Sequence, residues 1–137
     1  MLTRIELQRS LEHQLTQLAE VRGLSVLPTA AGNEVVLLCR QEASTRTVVL
    51  RFAEDAIWIN FGLSASASMV VEDEDSVSAV IDLVAAILDG NACEYVFVDD
   101  SARIRTVGWR ISGITIELAA RPDTTETPLE FRVPAFT

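Results

Sequence analysis

Apolar periodicity switches twice along this chain, and the two switches decide its fold class. Within residues 3–21, Leu7, Leu11, Leu15 and Leu18 recur at steps of four, four and three, the spacing of one stripe on an amphipathic helix. From residue 24 to residue 71 that period is absent. Apolar residues come instead in short runs at 24–27, 34–40, 45–52, 56–61 and 67–71, rich in Val, Ile, Phe and Trp and parted by polar residues. The helical period returns over 76–89, where Val77, Val80, Ile81, Val84, Ile87 and Leu88 form one apolar face. Helices and strands patterned this way each leave an apolar face to bury, and packing them on one another is the economical solution.

Local signals punctuate the same segments. Thr3 and Glu6 have capping-box spacing, and Gly23 and Gly90 stand where the two helices must stop. A turn at 28–33 and another at Glu54-Asp55 separate strand candidates. Beyond the second helix, 93–98 and 103–111 read as a hairpin over the turn 99–101, and Ser112-Gly113 is a two-residue turn into 114–118. There Ile114, Ile116 and Leu118 alternate with Thr115 and Glu117, as in a half-buried strand. A polar loop at 121–128 leads to a last edge strand at 129–133, which Pro134 ends. The expectation is a single α+β domain over residues 1–137, an antiparallel meander with two helices, 3–21 and 76–89, packed on it.

Charge is distributed far less evenly than hydrophobicity. The net charge is -9. Residues 71–100 carry nine carboxylates (Glu72, Asp73, Glu74, Asp75, Asp82, Asp89, Glu94, Asp99 and Asp100) and no basic residue, whereas the rest of the chain balances its acids against eleven arginines. A field with a location faces a cationic partner more readily than an anionic one. This argues against nucleic acid and against an anionic membrane surface, both of which need a cationic face. The longest apolar stretch, around Val77–Leu88, is interrupted by Ser78 and Asp82 and is too short to span a bilayer. The opening residues lack a basic region followed by an apolar run, so no secretory signal is expected. Cys39 and Cys93 both sit in apolar, strand-like runs and read as buried free thiols, which suits a reducing cytoplasm. That every basic residue is arginine fits a GC-rich bacterial genome.

Motifs that carry chemistry are missing. The one histidine, His13, lies off the leucine stripe of the first helix and reads as a surface residue, with no Ser or Cys spaced to form a triad with it. The two cysteines lie far apart in the chain, and no CxxC, HxxxH or HExxH pattern occurs. The run Glu72–Asp75 lacks the spacing of a calcium-binding loop, and adjacent acids in a strand-to-helix turn point in different directions. Gly62, Gly90, Gly108 and Gly113 stand alone, as turn and cap residues do, rather than in a phosphate-binding loop. Twenty acids always bring some pair close in space, but no pocket signature singles out a pair for acid–base work. No catalytic residue, metal or cofactor is expected.

Local roles account for some of the acids. Carboxylates in a helix's first turn interact well with its dipole, and Asp75 or Ser76 can cap free amides there, with Asp73 a further candidate. Asp89 faces the unfavourable end of the same helix, and Asp99 and Asp100 are ordinary turn residues. Four consecutive acids plus further uncompensated ones exceed what capping requires. Glu72, Asp73, Glu74, Asp75, Asp82, Asp89, Asp99 and Asp100 are therefore the candidate docking residues for a basic protein, the alternative being a face that only solvates the fold. Trp58 is a candidate anchor, since alternation sets it opposite Ile57, Ile59 and Phe61, whereas Trp109 is expected in the core.

The helix over 75–90, ending Ile87-Leu88-Asp89-Gly90 and entering the strand 93–98 after a meander containing Trp58–Gly62, resembles small bacterial immunity proteins of polymorphic toxin systems. The resemblance covers about residues 48–111, and the long leading helix departs from it. It implies a cytoplasmic protein, monomer or weak dimer, that binds one cognate toxin and blocks its basic active-site face. Class I type III secretion chaperones are the second resemblance: similar in size and acidity, with a leading helix and a meander, they imply a homodimer that binds an extended effector segment. Against that family stand about five strand candidates ahead of the second helix, and strands where its closing helix belongs.

Overall fold

The structure is a computed structural model, and it describes residues 3–28, 34–38, 47–53, 56–61, 65–98, 100–111, 114–117 and 128–136. The expected turns at 29–33, 54–55 and 112–113, the loop residues 121–127, Gly62, Cys39 and Asp99 lie outside the described residues. The fold is α+β, with two helices and two antiparallel sheets among the described residues.

Helix α1 (Arg4–Val21) starts at Thr3, whose hydroxyl accepts from the Glu6 backbone N–H while the Glu6 carboxylate accepts from the Thr3 N–H. This is the expected capping box. Its buried stripe is Leu7, Leu11, Leu15 and Ala19, with Leu18 half-buried beside it. The stripe keeps a step of four to the end of the helix because Ala19 lies nearer its centre than Leu18. His13 is exposed, as its position off the stripe predicts.

Strands β1 (Ser25–Pro28), β2 (Glu34–Leu38), β3 (Thr47–Ala53), β4 (Ala56–Phe61) and β5 (Ala65–Val70) form a meander in sequence order, each antiparallel to the last. Alternation sorts its two faces. Val48, Leu50, Phe52, Ile57, Ile59, Phe61 and Ala67 point inward to the core, while Arg51, Trp58 and Ser68 form a cross-strand row on the outer face.

Helix α2 (Glu74–Leu88) follows and starts two residues earlier than its apolar pattern suggests. Asp73, not Asp75, is its cap: the Asp73 carboxylate accepts from the Ser76 N–H at 2.9 Å, and the Ser76 hydroxyl in turn accepts from the Asp73 N–H. With the cap at Asp73, Glu74 and Asp75 become first-turn residues that favour the positive end of the dipole. Val77, Val80, Val84, Ile87 and Leu88 are fully buried.

Both helices end in the same way. Gly23 and Gly90 adopt left-handed φ of 70° and 80°. In α1 the Leu24 N–H donates to the Ala19 carbonyl and the Gly23 N–H to that of Glu20; in α2 Asn91 donates to Ala86 and Gly90 to Ile87. This is the Schellman pattern twice. Two lateral contacts fix how the helices lie. Ser10 donates to Glu74 at the start of α2, and Arg22 at the end of α1 meets Asp89 at the end of α2. The helices therefore run parallel, with both carboxyl ends at one end of the molecule.

The second sheet holds β6 (Ala92–Val98), β7 (Ile104–Ile111), β8 (Ile114–Glu117) and β9 (Leu129–Val133) in the order β8-β7-β6-β9. The strands following α2 thus build their own sheet instead of extending the meander. The last strand is an edge, as expected, but it lies beside β6 and not beside β8. A register shift at Tyr95/Val96 skips Val107 in the β6–β7 pairing. Ala92, Trp109, Ile111 and Val133 of this sheet join the cluster that holds both helical stripes and the inner face of the meander. Trp109 packs edge-on to Phe61, ring centroids 6.2 Å apart. No helix among the described residues is long and apolar enough to cross a membrane.

Candidate functional site

The described acids of residues 71–100, which include every expected docking acid but Asp99, fall into three environments. Glu72, Asp73, Glu74, Asp75, Asp82 and Asp100 are exposed. Asp75 and Asp82 lie two turns apart on the exposed side of α2, about 10 Å along its axis, and Asp89 is the cap residue just past its end. Asp73 is committed to capping, and one Glu74 oxygen accepts from the Ser10 hydroxyl at 3.2 Å. The carboxylates of Glu72, Asp75, Asp82 and Asp100 have neither a hydrogen bond nor an ion pair among the described residues.

Asp89 differs from these. Its carboxylate is held bidentately by Arg22, Nε to Oδ1 and Nη2 to Oδ2, both at 2.8 Å. The expectation that Asp89 lacks a local partner is thereby corrected, for a physical reason that lies in the parallel helices. Two negative dipole ends and a carboxylate meet at one place, and the Arg22 guanidinium, which also donates to the Leu18 carbonyl at 3.2 Å, neutralises them together. The hydrogen bond from Arg22 holds the Asp89 carboxyl below the usual carboxylate range against an opposing effect of burial, and the same contact raises Arg22. Glu94 is withdrawn altogether: it is fully buried on β6, between Trp109 and Phe131 in the ladder. The surface field of the acidic stretch is therefore smaller than its sequence count.

Trp58 is 46% exposed. It stands on the outer face of the meander, whereas the buried side of α2 joins the inner face. Trp109 is buried, as expected, and its indole N–H has no partner among the described residues.

No motif in the chain announces a cleft of about 460 Å3 on the outer face of the second sheet, lined by Asn91, Cys93, Arg110, Glu130 and Arg132. The ladder sets Cys93 directly between Arg110 and Arg132. Arg110 Nη2 lies 3.8 Å from Cys93 Sγ and 3.3 Å from Glu130, and Arg132 Nε donates to the Gly90 carbonyl. Contact with Cys93, with Tyr95 and Glu130 nearby, raises the Arg110 guanidinium above its ordinary value. Cys93 is a buried free thiol, as expected. Alternation in 92–98, 104–111 and 129–133 tells which residues share a face, but only the pairing of β9 with β6 brings these together.

The exposed acids supply negative potential and hydrogen-bond acceptors suited to guanidinium and ammonium groups. Comparison with models of protein families, with curated proteins and with solved structures finds no match in any of the three.

Proposed function

We propose that this chain is an immunity protein of a bacterial polymorphic toxin system, acting in the cytoplasm by binding the basic active-site face of one cognate toxin. The observation that carries the reading is the exposed side of α2 and its approach. Glu72, Asp75 and Asp82 project there without an internal counter-charge among the described residues, and Asp100 does so from the β6–β7 turn. Such a face steers a cationic partner and competes for groups that would otherwise hold a phosphate. Asp89 and Glu94 are left out of the proposed contact because one is paired and the other buried, and Trp58 because it belongs to the outer face of the meander and not to α2.

The test uses Asp75→Arg combined with Asp82→Arg, which leaves the Asp73 cap and the Arg22–Asp89 pair intact. Binding is measured against the protein encoded by the adjacent reading frame, at low and at physiological salt, with far-UV circular dichroism to establish that the fold survives. The double reversal is expected to slow association at least tenfold and to remove most of its salt dependence. Unchanged affinity at low salt would sink the docking surface. The chaperone alternative requires an obligate dimer that captures an unfolded effector segment, and a protein monomeric at low concentration excludes it.

A further inference from the structure

Among the described residues, strand β9 leaves one edge of the second sheet open, and its sequence is complementary to itself. The five residues Leu129, Glu130, Phe131, Arg132 and Val133 pair there with β6 on one side only. Their parity is fixed by that ladder. Phe131 and Val133 stand opposite the inward residues Glu94 and Ala92, while Glu130 and Arg132 stand opposite Tyr95 and Cys93 on the outer face. Leu129 is 63% and Phe131 36% exposed, large apolar surface at a strand edge where natural sheets more often carry charge.

We propose that the occupant of this edge is β9 of a second copy, paired antiparallel about a two-fold axis through Phe131. In that register Phe131 faces its own counterpart, Leu129 faces Val133 of the other copy, and Glu130 faces Arg132 of the other copy twice over. A two-fold axis perpendicular to the sheet keeps inner faces with inner and outer with outer. The apolar residues therefore meet on one side and the two Glu–Arg pairs on the other, as an isologous contact demands. A parallel pairing, or a slip of one residue, places Phe131 against a charge or like charges against each other. Pro128 and Pro134 bracket the strand, so the shared ladder cannot lengthen beyond five residues. An interface that short buries less than a permanent dimer needs, and the association is reversible. This dimer is independent of the toxin-binding reading, because β9 and the exposed side of α2 are different surfaces.

A charge-swap experiment tests the register. Wild type is expected to show a concentration-dependent monomer–dimer equilibrium by sedimentation velocity at physiological salt. Glu130→Arg alone sets arginine against arginine, and Arg132→Glu alone sets glutamate against glutamate, so each single variant should dimerise at least tenfold more weakly. Mixed together, the two variants regain both opposite-charge pairs and should form a heterodimer with at least the wild-type affinity. Hydrogen exchange of the wild type adds a readout without substitution: amides of 129–133 should slow as concentration rises through the transition. A wild type that stays monomeric to millimolar concentration overturns the proposal. So does a dimer indifferent to both single reversals, or a mixture that fails to associate although both variants retain wild-type circular dichroism.

Discussion

The Arg22–Asp89 contact makes a prediction whose sign, and not only its size, is fixed by geometry. An exposed ion pair contributes about 0.2–1 kcal/mol, and bidentate geometry places this one near the upper end, about 1 kcal/mol after allowing for side chains that are 21% and 48% exposed. Against it stands the cost of a carboxylate at the carboxyl end of α2, roughly 0.5 kcal/mol. Asp89→Asn removes the charge and keeps the shape. With Arg22 present it loses about 1 kcal/mol and recovers about half, a net loss of roughly 0.5 kcal/mol. In an Arg22→Gln background only the dipole remains, and the same substitution should stabilise by roughly 0.5 kcal/mol. Urea unfolding followed by circular dichroism measures all four proteins, and the loss of the Arg22–Leu18 contact cancels in the cycle. The coupling should shrink in high salt. Acid should abolish it as well. The folded carboxyl titrates below its unfolded counterpart, so its contribution is complete above the ordinary carboxylate value and is lost as pH falls through the lowered folded one. If Asp89→Asn has the same sign in both backgrounds, the account of the two helix ends is wrong.

The two helix-stop glycines should respond differently to alanine. Nothing lies within 4 Å of a Cβ built on Gly23, so Gly23→Ala should cost only the left-handed conformation, about 1 kcal/mol. At Gly90 the same Cβ meets the Ala135 backbone nitrogen at 3.0 Å, and Gly90→Ala should cost roughly 2–3 kcal/mol in urea titration, with equal losses refuting the close approach. The tryptophans should separate by fluorescence. Trp109→Phe leaves an emission readily quenched by iodide, and Trp58→Phe leaves a blue-shifted emission resistant to it, in keeping with exposures of 46% for Trp58 and 4% for Trp109.

The elements were legible because each carries its own period. Residues 56–61 and 129–133 coincide with β4 and β9, and the Leu7–Leu15 stripe and the Val77–Leu88 face are the buried sides of their helices. What could not be read is adjacency. Alternation assigns Phe131 a face but not a neighbour, and whether β9 lies beside β6 or β8 is decided by packing between residues far apart in the chain. The acidic site suffered from the same blindness. The charge count of the stretch includes Asp89 and Glu94 alongside Asp82, although one meets an arginine 67 residues away and the other is interior. The cap at Asp73 was closer to hand, since Asp73 and Ser76 have box spacing, with serine where glutamate is usual.

The placement of β9 also bears on the order in which the molecule can assemble. The five strands of the meander and the β6–β7–β8 run each pair with the strand next to them in sequence, so hairpins can form as soon as their residues exist. The open side of β6, which ends at Val98, must wait for a strand that begins only at Leu129. The Leu88 carbonyl at the end of α2 must wait longer still, for the N–H of Phe136. Until then a chain emerging from the ribosome carries an unpaired β6 edge and an unfinished helix end, open to wrong partners. Docking of 129–136 closes both at once. Among the strand pairings described, it is the one that no neighbour in sequence can begin.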